Sequence, residues 1–136
     1  MSTLVDTNVL SETIRPRPNA GVLRWLAVHP TFALSAITLE ELAFGIERLK
    51  GKRRVQLYDW FDGLLGKPSP TIVPVDGDVA LAAGRLRARR EHKGRPVAQA
   101  DMLIAASALV RGLTLVTRNT ADFEGCGVAL VNPFES

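Results

Sequence analysis

Short runs of apolar and β-branched residues alternate along the chain with longer segments of helical character. The strand candidates are Thr3–Val5, Phe32–Leu34, Thr71–Val75, Leu113–Val116 and Val128–Val131. Between them, the segments near residues 7–14, 20–28, 38–50, 53–65, 77–93 and 99–111 have helix-forming composition or apolar residues at three-to-four spacing. Strands that alternate with helices are typical of a parallel sheet covered by helices, so the pattern predicts a layered α/β domain with a mostly parallel sheet.

The chain has the size and composition of one globular domain. It contains 136 residues, of which 46% are apolar and 23% charged, close to the usual balance of soluble domains. The breaks at Pro16 and Pro18, at residues 66–70 and at residues 93–96 are too short to be domain linkers. We therefore expect a single domain over residues 1–136.

Several features favour a cytoplasmic protein. Cys126 is the only cysteine, which excludes an internal disulfide and fits a reducing compartment. The first apolar run, Leu4-Val5, is cut by Asp6 and has no basic leader before it, which argues against a signal peptide. The longest nearly apolar stretch, residues 102–110, falls short of the ~20 residues that cross a bilayer. We expect no contact with a membrane.

The charge balance favours an anionic partner only modestly. Lys and Arg number 17 against 14 acids, for a net charge of +3. Basic residues cluster at Arg15 and Arg17, within residues 50–54 and within residues 85–95. A solvated helix face explains such clusters as often as nucleic-acid binding does.

Two acids lie near the edge of the predicted sheet at which parallel sheets bind their ligands, one directly after a strand and one in the first turn of a helix. Asp6 directly follows Thr3–Val5, where it suits either a helix N-cap or a metal ligand. Glu41 has the spacing of a capping box with Thr38, yet it also shares a helix face with Gly45. Glu40 lies about 100° away and is expected to face solvent, so Glu41 is the better functional candidate.

Asp101 opens a helix and is expected to point with its buried face, because Ile104, Ala105 and Ala108 occupy the i+3, i+4 and i+7 positions. The free-energy cost of burying an unpaired carboxylate exceeds the stabilisation that a helix dipole provides, and a nearby cation would offset that cost. A further polar cluster, Thr117 to Asp122, follows the fourth strand candidate.

These acids would converge at the carboxyl edge of a parallel sheet, where like charges repel unless cations neutralise them. Oxygen ligands without a cysteine or histidine cluster favour a hard cation, Mg²⁺ or Mn²⁺, over zinc. Such cations can activate water and stabilise the attacking and leaving oxygens during hydrolysis of a phosphodiester.

The same motifs resemble those of the PIN-domain family, and within it the VapC and FitB-like toxins, over essentially the whole chain. They are Val5-Asp-Thr-Asn-Val-Leu10, Ser35-x-x-Thr38-x-x-Glu41-Leu42-x-x-Gly45, Asp101-x-x-Ile104-Ala105-Ala106 and Val116-Thr-Arg-Asn119-x-x-Asp122-Phe123. The resemblance implies a three-layer α/β/α sandwich, a working homodimer and metal-dependent hydrolysis of RNA. It also implies a small VapB-type antitoxin that blocks the acidic pocket.

The resemblance also assigns roles to individual residues. Asp6 and Asp101 would be the principal metal ligands, Glu41 would complete the acidic pocket, and Asn8 and Thr117 would support it by hydrogen bonding. Some relatives have aspartate where this chain has Asn119, whereas others rely on the position of Asp122, so either residue could complete the site, with Asp122 as the fourth acid or Asn119 as an uncharged supporting residue. Arg85, Arg89 and Arg118 are candidates for binding the RNA backbone.

Two other readings share the fold. One is a housekeeping PIN nuclease in RNA processing, which would have the same chemistry and no antitoxin. The other is a catalytically silent PIN module that binds RNA or protein, which the retention of Asp6, Glu41 and Asp101 argues against. A phosphatase of the haloacid dehalogenase type would need a second aspartate where this chain has Asn8.

Overall fold

The computed structural model of the protein describes residues 2–136, which form five strands, seven α-helices and a final 3₁₀ turn. The elements in chain order are β1 (Thr3–Val5), α1 (Thr7–Glu12), α2 (Ala20–Val28), β2 (Ala33–Ser35), α3 (Ala36–Glu47), α4 (Gly51–Leu65), β3 (Thr71–Val73), α5 (Gly77–His92), α6 (Gln99–Arg111), β4 (Thr114–Val116), α7 (Thr120–Phe123), β5 (Leu130–Val131) and the 3₁₀ turn Pro133–Glu135.

The strands form one parallel sheet in the order β3-β2-β1-β4-β5. The central strand β1 pairs with β2 on one side and with β4 on the other, so the chain builds outward in one direction and then returns to build in the other. This reversal makes the carboxyl ends of β1 and β4 the topological switch point, where open α/β sheets bind their ligands.

Alternate residues of the inner strands enter separate cores on the two faces of the sheet. Leu4 and Leu115 belong to a core with α5 and α6, whereas Val5 and Val116 belong to a core with α1, α2, α3 and α4. All four side chains are fully buried. The alternation follows from the two-residue period of a strand. The predicted α/β/α sandwich with a parallel sheet is therefore confirmed.

The element boundaries differ from the predicted ones where local chemistry intervenes. β3 ends at Val73 instead of Val75, because Pro74 has no N–H to donate to a neighbouring strand. α3 begins at Ala36, directly after β2, because the Ser35 side chain accepts a hydrogen bond from the Ile37 N–H and caps the helix. The four-residue helix α7 was not predicted, since it is too short to show a periodic pattern.

The long helices α5 and α6 pack against each other on one face of the sheet. α6 is the more apolar of the two, and its residues Ile104 to Ala108 are fully buried. No helix within residues 2–136 combines the length and the apolar character that a bilayer span requires.

Candidate active site

Asp6 lies at the switch point, immediately after β1, and is held there by three donors. Its Oδ1 accepts a hydrogen bond from the Thr7 N–H at 2.7 Å. Its Oδ2 accepts bonds from the Thr117 hydroxyl at 2.8 Å and from the Asn8 amide at 3.2 Å. The hydrogen-bonding roles predicted for Asn8 and Thr117 agree with these contacts. Asp6 is also the N-cap of α1, so the interpretation of this residue as a helix cap is confirmed.

The environment of Asp6 disfavours its charged form. The residue is only 4% exposed, and the pKa of its carboxyl is raised from 3.8 to about 6, with burial as the largest cause. The bonds from Thr117 and Thr7 oppose this rise, while the negative charges of Asp101 and Glu41 add to it. Burial and like charges outweigh the three donors. Asp6 therefore carries a charge near neutral pH that the protein alone does not fully compensate.

Glu41 lies on α3 and reaches toward α1. Its Oε1 accepts a hydrogen bond from the Thr7 hydroxyl at 2.7 Å. The predicted capping box between Thr38 and Glu41 is wrong, because Ser35 caps α3 and Thr38 lies within its first turn, fully buried. Glu40 is exposed, as predicted. The charge of Glu41 acts on both Asp6 and Asp101, which puts these three carboxyls in one electrostatic neighbourhood.

Asp101 stands in the first turn of α6, with Ile104, Ala105 and Ala108 fully buried on its face as predicted. Partial burial raises the pKa of Asp101 above its usual 3.8, and the charges of Glu41 and then Asp122 raise it further. Asp122 is itself exposed, in α7. Its charge raises the pKa of Asp101 after the larger effects of burial and of Glu41.

The chain leaves β4 through a turn organised by Thr117. The Thr117 hydroxyl, fully buried, donates to Asp6 and accepts a bond from the Asn119 N–H at 3.1 Å. Asn119 is exposed, and its side chain makes no capping bond to α7. Asn119 thus contributes a main-chain donor to the turn, whereas Asp122 contributes the charge.

The three candidate RNA-binding arginines are exposed at the surface. Arg118 follows Thr117 directly; its N–H donates to the Asn8 side chain at 3.2 Å, and its guanidinium lies 5.0 Å above the ring of Phe134. Arg89 lies toward the end of α5, near Cys126: burial raises the pKa of that thiol, and the charges of Arg90 and then Arg89 oppose the rise. Arg85 lies one turn earlier on the same helix.

The oxygen donors of this site suit a hard divalent cation by type. Asp6, Glu41, Asp101 and Asp122 supply carboxylates, and neither histidine nor cysteine is among them. Within residues 2–136, however, no three His, Cys, Asp or Glu side chains converge closely enough to hold an ion as they stand. The convergence of three or four acids in one cation-holding pocket is therefore not found among the described residues, although the charges of Asp101 and Glu41 act on Asp6. The uncompensated burial of Asp6 is the feature that a cation would relieve.

Sequence reasoning missed the polar residues that join the helices around the site. The Ser107 hydroxyl of α6 lies 3.1 Å from that of Ser35, and both side chains are fully buried. The Thr7 hydroxyl joins α1 to α3 through Glu41. These contacts span 72 and 34 residues of sequence, so no local pattern could have indicated them. The one available signal was Ser107 itself, a hydroxyl within an otherwise apolar helical run.

A sequence model of the PIN domain matches residues 3–125 of the chain. The chain belongs to the PIN-domain family. A VapC ribonuclease from Sinorhizobium fredii is 35% identical over 136 residues, with 97% of each chain covered. The crystal structure of FitAcB from Neisseria gonorrhoeae superposes on this PIN domain with a TM-score of 0.90 and 37% identity, covering 98% of this chain and 99% of the other. A toxin–antitoxin complex from Klebsiella pneumoniae gives a TM-score of 0.75 and 28% identity, with 97% and 98% covered.

Proposed function

We propose that this PIN domain is a divalent-metal-dependent endoribonuclease that hydrolyses RNA phosphodiester bonds, and that it is the toxin of a VapBC-type toxin–antitoxin pair. The observation that carries the proposal is the desolvated Asp6 at the switch point, with its pKa raised to about 6 beside the charges of Asp101 and Glu41. The relatives support it, since one is named a ribonuclease and another is part of a toxin–antitoxin complex.

In this proposal Asp6 and Asp101 hold Mg²⁺ or Mn²⁺. A bound divalent cation supplies Lewis-acid polarisation of a phosphoryl oxygen and activation of water. Thr117 and Asn8 fix Asp6 through its Oδ2. Glu41 adds negative charge from α3.

In this proposal Asp122, rather than the uncharged Asn119, completes the acidic pocket, because the charge of Asp122 already acts on Asp101. Asp122 is exposed in the first turn of a short helix, so its side chain is accessible to a cation. Asp122→Asn should therefore weaken cation binding, whereas Asn119→Ala should not. The reverse order of effects would exclude Asp122 as the fourth acid.

The decisive experiment is cleavage of total RNA by the wild type, Asp6→Asn and Asp101→Asn, each with Mg²⁺, Mn²⁺ or EDTA. Asp78→Asn is the matched control, because Asp78 also occupies the first turn of a helix but is exposed. We expect the wild type and the control to cleave only with metal, and the two site variants to be nearly inactive. RNA that stays intact with the wild type in every metal condition would exclude the nuclease and favour a silent binding module.

The exposed arginines Arg85, Arg89 and Arg118 are proposed to bind the phosphate backbone of the substrate. Each contact that is lost should reduce the slope of log affinity against log salt by roughly 0.7 for a single-stranded oligonucleotide. The measurement is binding of such an oligonucleotide to Arg89→Gln and Arg118→Gln over a salt series. An unchanged slope in both variants would remove these residues from the RNA-binding surface.

The toxin assignment needs a test in cells. Expression of the wild type should arrest growth, expression of Asp101→Asn should not, and the small protein encoded beside the gene should relieve the arrest. A housekeeping nuclease would instead be tolerated without a partner. The homodimer expected for this family would give a sedimentation mass of twice 14.8 kDa.

A further inference from the structure

Thr7 contacts the carboxylates of two different elements. Its main-chain N–H donates to Asp6 Oδ1 at 2.7 Å, and its hydroxyl donates to Glu41 Oε1 at 2.7 Å. Asp6 directly follows β1 and Glu41 lies on α3, so a single residue at the start of α1 joins both. Both bonds are short because each acceptor is a carboxylate.

A second hydroxyl lies behind the first. Thr38 Oγ1 is 3.0 Å from Thr7 Oγ1, and Thr38 is completely buried in the first turn of α3. A hydroxyl has one proton, and the carboxylate of Glu41 can only accept. Since Thr7 gives its proton to Glu41, Thr38 is the donor in the pair of threonines. The proton donors therefore run in one direction, from Thr38 to Thr7 to Glu41.

The two threonines determine the position of the Glu41 carboxylate. Thr38 precedes Glu41 by three residues, so their side chains lie on adjacent positions of one face of α3. Thr7 faces both from α1 and binds Oε1 of Glu41. The charge of Glu41 acts on Asp6 and on Asp101. A Glu41 released from Thr7 could rotate away from both.

We propose that Thr7 is a positioning residue that sets the spacing of Asp6 and Glu41, and thereby the affinity of the acidic pocket for a divalent cation. The proposal rests on the metal-dependent activity proposed above. Thr7 acts through the two carboxylates and does not itself touch the cation. The loss of a residue that orients metal ligands usually lowers affinity or activity by roughly 10–100-fold.

The test compares Thr7→Val, which keeps the branched shape and loses the hydroxyl, with Thr7→Ser, which keeps the hydroxyl. Thr13→Val is the matched control, because the Thr13 hydroxyl donates to the Leu10 carbonyl at 2.7 Å, at the far end of the same helix. Binding of Mn²⁺ to each purified protein is measured by the paramagnetic resonance signal of free Mn²⁺. The kcat and KM for a short RNA are measured beside it.

We expect Thr7→Val to bind Mn²⁺ at least about tenfold more weakly and to lose kcat with little change in KM, while Thr7→Ser stays within about threefold of the wild type. Thr13→Val should match the wild type in both measurements. If Thr7→Val does not fold, as judged by its thermal unfolding, Thr38→Val removes the donor behind Thr7 and should show the same loss to a smaller extent.

A double-mutant cycle on Mn²⁺ binding separates positioning from a general structural role. In a Glu41→Gln background, Thr7→Val should cost no further affinity, because the carboxylate that it orients is gone. An equal loss in both backgrounds, or Mn²⁺ binding unchanged by Thr7→Val, would overturn the role of Thr7. A wild type that neither binds Mn²⁺ nor cleaves RNA would instead overturn the proposed function, and the role of Thr7 with it.

Discussion

Replacement of Asp6 by asparagine should stabilise the metal-free protein at neutral pH. The raised pKa means that the folded state prefers the protonated carboxyl, whereas the unfolded chain ionises near the ordinary value of 3.8. Each pKa unit is worth about 1.4 kcal/mol. The rise to about 6 therefore corresponds to a cost of about 3 kcal/mol when Asp6 is ionised at pH 7.5. Asparagine does not pay this cost.

The sign of the pH dependence follows from the same shift. Because the folded pKa lies above the unfolded one, the favourable contribution of protonated Asp6 is complete below pH 3.8 and is lost as the pH rises through 6. The cost remaining at pH 4.5 is about 1 kcal/mol. Asparagine can still cap α1 through its oxygen, but the Thr117 hydroxyl and the Asn8 amide both lose Oδ2 as an acceptor, which costs about 1 kcal/mol for each bond. The variant should therefore be about 1 kcal/mol more stable than the wild type at pH 7.5 and about 1 kcal/mol less stable at pH 4.5.

Urea denaturation of both proteins in EDTA at the two pH values measures this difference directly. Asp78→Asn is the control, since Asp78 is exposed and its replacement should have a small effect at both pH values. Added Mn²⁺ should reverse the order, because it stabilises the wild type by about 2.7 kcal/mol at a hundred times its dissociation constant and leaves Asp6→Asn unchanged. A variant less stable than the wild type at pH 7.5 in EDTA would refute the reasoning from burial.

Two further predictions follow from the structure. Glu41→Gln should lower the rate of RNA cleavage by roughly 10–100-fold in a kinetic assay. Replacement of its exposed neighbour, Glu40→Gln, should leave the rate of cleavage unchanged. Equal losses in the two variants would contradict the assignment of Glu41 and Glu40 to different faces of α3. Gly21→Ala should destabilise the fold by about 1–3 kcal/mol in urea denaturation, because a Cβ there would lie 2.6 Å from the Pro133 carbonyl oxygen. The control Gly84→Ala, whose Cβ would have nothing within 4 Å, should be neutral or stabilising by up to about 1 kcal/mol. A reversal of these two effects would contradict the packing of the C-terminal turn on α2.

The fold could be predicted largely because its signals are local. Each of the five strands lies within the run of apolar residues that predicts it or one residue beyond, and α6 has the predicted bounds. Boundaries failed where one residue decided them, as Pro74 does for β3 and Ser35 does for α3. The same local logic found Asp6 at a strand exit and Asp101 on a buried helix face.

The rest of the site depends on contacts between distant parts of the chain. The bond between Thr7 and Glu41 joins residues 34 apart, and its partners are chosen by how α1 and α3 pack, which periodicity does not encode. The pKa of Asp6 depends on tertiary structure as well, because the Thr117 hydroxyl that lowers it and the burial that raises it both come from distant parts of the chain. A residue that is an ordinary strand-end aspartate in the sequence acquires its raised pKa only from the packed layers around it.

The observed role of Asp6 as a helix cap is compatible with its proposed role as a metal ligand, and Asp76 shows why. Asp76 caps α5 in a similar way, with Oδ1 accepting from the Val79 N–H at 3.0 Å, but it is exposed and its Oδ2 pairs with Arg111 at 3.0 Å. Asp6 is buried, and other acids are its charged neighbours. A cap contributes about 1 kcal/mol and can be made at the surface without the cost of about 3 kcal/mol that burial of Asp6 entails. Capping alone therefore does not account for a buried, uncompensated aspartate, whereas the cation proposed at this position would.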